Sequence, residues 1–259
     1  MKPLLTLLFA CLFFLAGCID TESTTTINKD GSGTLRSTLD IGQMIGMMMA
    51  GKDLSNEKNE KKDTTVYLRP MIDTATTLTA REKELLRDLS FHIQMDIKAA
   101  IFKLAIIAPF RKMEDLQELN ELMARKEFDD IFDKATKQSG LGSSDKEEEP
   151  GKNDNIFGSL FPDFYDCKYK QGKIECSLNK QKYDARMADM KNRDMDMNDA
   201  MMEKVFADAS FTNKIVLPSA AKSVKGATLK KTTDTEYVQN GSILELYRTP
   251  EKFAYSIEY

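Results

Sequence analysis

The sequence contains one histidine and no tryptophan, and this scarcity limits the chemistry that it can carry out. The histidine, His92, lies between Phe91 and Ile93 in an alternating pattern, which places it on the polar face of a predicted strand. No pattern assembles a Ser-His-Asp site around His92, and no HExxH, CxxC or phosphate-loop motif is present. We therefore predict that the protein is not an enzyme, with no catalytic residue and no cofactor.

An excess of charge of one sign is also missing. The chain has 37 lysines and arginines against 41 aspartates and glutamates, a formal net charge of −4 at pH 7. Because the two signs alternate along the chain, they indicate a solvated surface and not a basic patch that binds phosphates. We expect no nucleic-acid partner.

No apolar run reaches the ~20 residues of a membrane-spanning helix, but a shorter run opens the chain. It extends from Leu4 to Leu15 after a single lysine and ends at small residues, as in a secretory signal peptide. Leu15–Cys18 reads LAGC and matches the bacterial lipobox, in which the cysteine thiol takes a diacylglycerol. Residues 1–17 are thus predicted to be a lipoprotein signal peptide, and Cys18 the acylated (palmitate-bearing) residue. The alternative is an ordinary signal peptide with a chance cysteine.

Cysteine is scarce as well, and two of the four remain once the first 18 residues are assigned. Strand-like runs flank Gln171-Gly172, and a two-residue turn there makes Cys167 face Cys176. Facing residues at this position do not exchange backbone hydrogen bonds, and their Cα atoms are ~4.5 Å apart. That distance lies at the short end of the Cα–Cα range of disulfide-bonded cysteines. Because an exported protein can oxidise its thiols, we predict a disulfide between Cys167 and Cys176.

Two further hairpins are predicted from alternation and turn chemistry. The first covers residues 20–41 around the polar turn Asn28–Gly33. The second joins residues 91–97 to 102–108 by folding at Ala99-Ala100, which pairs Ile97 with Phe102. A helix from Met95 to Ala108 is the alternative for this second region.

The remaining pattern combines helices with short strands. Helices are predicted at Ala80–Leu89, capped by Thr79, at Met113–Lys137 and at about Tyr183–Val205. Strands are predicted at Val66–Ile72, Ala209–Leu217, Val224–Lys230, Thr235–Gln239 and Phe253–Tyr259. Residues 18–259 are therefore expected to form an α+β domain, an antiparallel sheet built from hairpins with two or three amphipathic helices. Residues 139–155 are polar and predict a flexible loop or linker, which leaves open whether they separate two domains.

Methionine is the residue in excess, with 15 in the chain. One group lies between residues 44 and 49 and another between 187 and 202. Thioethers suit Cu(I), and the close spacing within the second group gives a weak candidate site. Its ligands would be Met195, Met197 and Met201. The second group also shares one arc of a helix, which favours a packing face or an adaptable apolar binding surface over a metal site.

The first hairpin, Thr24–Gly33, reads TTTINKDGSG shortly after a lipobox and resembles a group of bacterial envelope lipoproteins of unassigned activity. More distantly, the sequence is similar to the LppM-type lipoprotein domain. Ile215–Pro218, Ser223–Gly226 and the closing strand to Tyr259 fit that pattern. The resemblance covers the ends of the mature chain better than its middle. It implies an envelope domain of mixed α and β structure and supplies no catalytic residues.

These observations predict a lipid-anchored protein of the cell envelope with a non-catalytic binding domain. Its partners would be the membrane, through the N-terminal lipid, and either an apolar ligand or an envelope protein. The alternative function is Cu(I) handling through the methionine-rich segments. The sequence leaves the choice between inner and outer membrane open.

Overall fold

The strands that the structure describes form two sheets. A computed structural model describes residues 19–43, 46, 61–138, 164–192 and 208–259. Within them the strands are β1 (Asp20–Ile27), β2 (Gly33–Asp40), β3 (Lys61–Tyr67), β4 (Ser90–Asp96), β5 (Ile101–Phe110), β6 (Tyr165–Lys170), β7 (Lys173–Leu178), β8 (Ser210–Val216), β9 (Ser223–Lys225), β10 (Leu229–Lys231), β11 (Glu236–Ser242) and β12 (Tyr255–Glu258). The large sheet has the order β10-β11-β8-β1-β2-β5-β4-β3, and the small sheet has the order β6-β7-β12-β9.

Six α-helices lie between the strands in the described part of the chain. They are α1 (Arg69–Thr74), α2 (Ala80–Leu86), α3 (Asp115–Met123), α4 (Lys126–Gln138), α5 (Lys180–Asn192) and α6 (Ile243–Arg248), with 3-10 turns at Ile97–Ala99 and Pro250–Phe253. The predicted α+β class is confirmed. Two details differ: β1 and β8 pair in parallel, and the described residues include six α-helices where two or three were expected.

The first hairpin has the predicted boundaries and turn. β1 pairs with β2 so that Thr24 faces Arg36, and the turn lies at Asn28–Ser32. Gly31 has φ +84°, and the Asp30 carboxylate accepts from the Ser32 backbone N–H at 3.0 Å. Local turn chemistry is therefore sufficient to define this hairpin.

The second hairpin exists, but its predicted register is wrong by two residues. Met95 faces Phe102, where the sequence pattern had paired Ile97 with Phe102. The connection is a four-residue turn, the 3-10 turn Ile97–Ala99 followed by Ala100 in the left-handed region at φ 51°. Because the shift is an even number of residues, every side chain stays on the expected face.

The long helix predicted at Met113–Lys137 is two helices. Leu122 and Phe128 are both buried, yet in one straight helix side chains six residues apart point ~120° away from each other. A break at Ala124-Arg125 between α3 and α4 allows both side chains to reach the core.

Other boundaries also change. α2 begins as predicted after the N-cap Thr79, which forms a capping box with Glu82, but the helix ends at Leu86. The strand predicted at Val66–Ile72 ends at Tyr67, because Pro70 opens α1. The closing strand begins at Tyr255, after a 3-10 turn. Helix α6 was not predicted.

The larger apolar core joins both sheets and the helices α1 to α4. Phe91 on β4 belongs to this core, and the centroid of its ring lies 4.7 Å from that of Phe132 and 6.2 Å from that of Phe128, both on α4. A smaller core surrounds Phe164, Tyr247 and Phe253. Within the described ranges, no helix is both long and apolar enough to cross a membrane.

Candidate functional site

A cavity of about 470 Å³ lies between the inner face of the large sheet and the small sheet. Its floor comes from β1, β2, β5, β8 and β11, and its walls from β6, β7, β12, α3 and the chain around α6. Most of the lining surface is apolar. Ligand cavities in proteins typically have volumes of ~300–1,000 Å³ and a few polar groups on an apolar lining. The size and lining of this cavity therefore fit a small-molecule site.

Four neighbouring strands place polar side chains at one level of the cavity floor. The pairing of β11, β8, β1 and β2 aligns Gln239, Asn213, Ser23 and Ser37, which we call the polar row. On the next two strands the same level continues with Ile106 and Phe91, which are buried and apolar. The sheet therefore changes from polar to apolar between β2 and β5.

Hydrogen bonds hold the polar row in place. The Gln239 amide donates to Thr228 Oγ1 at 2.7 Å and to the Phe253 carbonyl at 3.1 Å. The Ser23 and Ser37 hydroxyls are 3.4 Å apart. No buried side-chain nitrogen or oxygen within the described ranges lacks a partner. Since hydroxyls have further donor and acceptor capacity, the row can still bond a ligand.

Three tyrosines on the opposite wall have phenol groups that stay neutral. Burial raises the pKa of Tyr169, which also bonds Asn120 of α3. Burial likewise raises the pKa of Tyr255, whose hydroxyl lies 3.5 Å from Asn213 Nδ2 of the polar row. Tyr165 has a pKa raised by burial first and by the nearby Glu251 charge second. The wall thus offers uncharged hydroxyl groups at ordinary pH.

One end of the cavity is aromatic. The rings of Phe211 and Phe253 meet edge-on with centroids 5.1 Å apart. They approach the backbone at Gly241, where a Cβ atom would lie 2.7 Å from Phe211 and 2.8 Å from Phe253. A residue with a side chain at position 241 would therefore displace these rings and change the shape of this end.

The predicted disulfide is present, and both of its cysteines line the cavity. Cys167 on β6 faces Cys176 on β7, with Cα atoms 4.0 Å apart. The turn is Gln171-Gly172 as expected, with φ +79° at Gly172. The bond therefore joins the two strands that form one cavity wall.

The charged lining residues are Glu121, Asp166 and Lys182. Lys182 Nζ donates to Asp166 Oδ1 at 2.9 Å, and both side chains are close to half exposed. Hydrogen bonds from Lys182 first and Asn179 second lower the pKa of Asp166. The Glu121 carboxylate accepts from the Gln117 amide at 3.2 Å. The cavity therefore has neutral polar groups in its interior and bonded charges at its edge.

The other residues of interest lie elsewhere. His92 Nε2 is 2.7 Å from Asp63 Oδ1 on β3, and neither residue lines the cavity. Among the residues that the structure describes, no group of three or more His, Cys, Asp or Glu could hold a metal. Several predicted features fall outside the described residues. They are Cys18, the loop at 139–155, the part of the predicted helix that follows Asn192, and the candidate copper ligands Met195, Met197 and Met201.

Sequence reasoning missed the cavity, although one signal pointed to it. The inward residues of β1 are Thr21, Ser23 and Thr25, so this strand is polar on both faces until Ile27. A central strand with no apolar face indicates that the sheet faces something other than packed core. Asn213 and Gln239 could not be joined to that signal without the strand order.

Comparison with known proteins gives one structural similarity. No family model matches the chain, and no curated protein matches it. The structure is similar to the NMR structure of the folded domain of Mycobacterium tuberculosis LppM, with a TM-score of 0.38 and 7% sequence identity. The match covers 95% of this chain and 92% of that chain.

Proposed function

We propose that the chain is a lipid-anchored envelope protein whose domain binds a small amphipathic ligand without changing it chemically. The observation that carries this proposal is the cavity of about 470 Å³ with the polar row on its floor. Ser37 and Gln239 are buried on interior strands of the large sheet, where packed apolar residues would contribute more to stability. A row of polar groups at this place is better explained by a ligand than by folding.

The ligand that fits best has an apolar body and an uncharged polar group. Serine, asparagine, glutamine and neutral tyrosine groups offer donors and acceptors, while Leu35, Ile106 and Phe211 offer apolar contact. A charged group would lose its hydration in the interior without an opposite charge to bind. The ionised groups Asp166 and Lys182 already bond each other at the edge.

The envelope location follows from the lipobox. Acylation of Cys18 would fix the domain at a membrane, since more than one acyl chain gives stable anchoring. Amphipathic molecules are concentrated at such a surface, so the anchor and the cavity support the same function. The proposal does not choose between the inner and outer membrane.

Native mass spectrometry of exported residues 19–259 tests this function. We expect a population heavier than the unliganded mass, which returns to that mass after extraction with organic solvent. An added mass that a chelator removes would instead favour the copper alternative. A single unliganded mass, together with no binding of apolar probes, would contradict the proposed function.

A further inference from the structure

The backbone is held in the sheet up to the residue that follows the predicted acylation site. The Ser210 backbone N–H donates to the Ile19 carbonyl at 3.0 Å, and β1 begins at Asp20. The Ile19 side chain packs against both apolar cores. No linker therefore separates Cys18 from the folded domain.

The reach of the chain sets the distance to the membrane. One residue spans at most ~3.6 Å, so the Cα atoms of Cys18 and Asp20 are no more than ~7 Å apart. Acyl chains on Cys18 would bring the start of β1 to within about 10 Å of the lipid headgroups. The cavity-lining residue Thr21 follows one position later.

The turn Ile97–Ala100 lies at this same end of the large sheet. Asp20 faces Asp40, and Asp40 faces Lys103, so β1 and β5 both begin here. β5 is two strands away from β1, which corresponds to ~10 Å at ~4.8 Å per strand. The turn that leads into β5 is thus a close neighbour of the point where the chain meets the predicted anchor.

The composition of this turn is unusual for an exposed turn. It reads Ile-Lys-Ala-Ala, with Lys98 and Ala99 exposed and Ala100 in the left-handed conformation. The turn at the opposite end of β1, Asn28–Ser32, is polar apart from Gly31. Apolar residues beside a lysine suit a bilayer interface, because the lysine stem can lie along the lipid while its ammonium stays hydrated.

The outer face of the large sheet suits water instead. Glu22, Arg36 and Lys214 all project from it, and Lys214 Nζ bonds Glu236 Oε2 at 2.8 Å. Laying this face on lipid would remove charged groups from water at a high cost in free energy. An end-on arrangement leaves this face in water.

We propose that the end of the large sheet defined by Ile19, Ser210 and the turn Ile97–Ala100 rests directly on the bilayer. This end is the membrane-facing surface, and the Asn28–Ser32 turn is held away from the lipid. β1 has eight residues, which at ~3.4 Å each separate the two turns by about 27 Å. The inference rests on the proposed lipid anchor at Cys18.

Single tryptophans test the arrangement, because the chain has none of its own. Ala99→Trp places the probe at the membrane-facing end, and Lys29→Trp is the matched control at the opposite turn. Both full-length lipidated proteins are placed in vesicles of phosphatidylethanolamine and phosphatidylglycerol that contain brominated phosphatidylcholine. We expect the brominated lipid to quench the tryptophan of Ala99→Trp severalfold more than that of Lys29→Trp.

A Gly/Ser insertion of ten residues between Cys18 and Ile19 provides the second variant. Such a linker has a root-mean-square length of roughly 17 Å, so we expect it to weaken quenching of the tryptophan in Ala99→Trp. Equal quenching at both positions, or none at position 99, would overturn the end-on arrangement. The intact mass distinguishes a failure of the end-on arrangement from a failure of the proposed anchor. A protein without acyl groups on Cys18 would overturn the anchor, and the inference with it.

Discussion

The two halves of the inner face of the large sheet have opposite properties. On β5 and β4 the face carries the buried apolar residues Ile106 and Phe91, and the Phe91 ring contacts Phe128 and Phe132 of α4. On β2, β1, β8 and β11 the same level carries the polar row and borders the cavity. One continuous sheet thus contains a packed half and a half that borders the cavity.

If the cavity binds a ligand, as proposed above, the fold separates stability from binding. The packed half buries large apolar side chains, which is the main source of folding free energy. At the level of the polar row, the cavity half lacks that contribution and is held by hydrogen bonds, while the Cys167–Cys176 disulfide joins two strands of the opposite cavity wall. Substitutions in the first half should therefore change stability, and substitutions in the second half should change binding.

The largest expected effect is in the packed half. Phe91→Ala removes a ring that is 1% exposed and contacts Phe128 and Phe132, so we expect it to lower the free energy of unfolding by about 3–5 kcal/mol. Ser23→Ala in the polar row should lower it by less than about 1 kcal/mol. Denaturant unfolding measures both. Equal losses would remove the distinction between the halves.

The disulfide should have the next largest effect. Replacing Cys167 and Cys176, which are nine residues apart, by serine removes the cross-link between β6 and β7, and loop-closure entropy predicts a loss of about 2–3 kcal/mol in the free energy of unfolding. The wild-type protein with a reductant should show the same fall in Tm as the double variant. A reductant that leaves Tm unchanged would show that the cavity wall does not depend on the bond.

High pH should destabilise the cavity half. Because burial raises the pKa of Tyr169 and Tyr255 in the folded state, unfolded phenols release protons first as the pH rises above about 10. Their stabilising contribution is full below that pH and then falls by about 1 kcal/mol per pH unit for each phenol. Between about pH 9 and about pH 11, the Tm of the wild-type protein should fall more steeply than the Tm of the variant with both residues changed to phenylalanine. Identical slopes would contradict the burial of these phenols.

The smallest effect is expected at the edge of the cavity. Hydrogen bonds from Lys182 first and Asn179 second lower the pKa of Asp166. The contribution of the ionised carboxylate to the free energy of unfolding is therefore present above about pH 4 and is lost as the pH falls through the lowered pKa. Because both charged side chains are close to half exposed, water screens the pair, and Asp166→Asn should cost less than about 0.5 kcal/mol. Chemical unfolding at neutral pH measures this cost. A loss of several kcal/mol would show that the edge contributes to the core.

Features determined by neighbouring residues could be predicted from the sequence. The polar turn of the first hairpin, the capping box at Thr79 and the facing positions of Cys167 and Cys176 all rest on residues close in the chain. The register of the second hairpin was missed, because Ala99-Ala100 does not have the composition that identifies a turn type. Its four-residue connection became visible only with the strand pairing.

The candidate site could not be predicted, because its residues come from distant parts of the chain. Ser23 meets Asn213 only because β8, a strand that comes much later in the chain, pairs in parallel with β1. Gln239 joins them through one further strand. A local pattern shows that β1 is polar, but it does not show which strands lie beside it.

The central claim is that the polar half of the sheet faces a ligand, and a matched pair of variants tests it directly. Ser23→Phe adds a ring on the cavity side of β1, and Thr24→Phe adds the same ring on the outer face of the same strand. Binding of the uncharged apolar dye N-phenylnaphthylamine is titrated by fluorescence. We expect Ser23→Phe to raise Kd by about tenfold or more (~1.4 kcal/mol), and Thr24→Phe to leave it unchanged. Equal affinities for both variants and the wild type, or no binding to any of them, would contradict the claim.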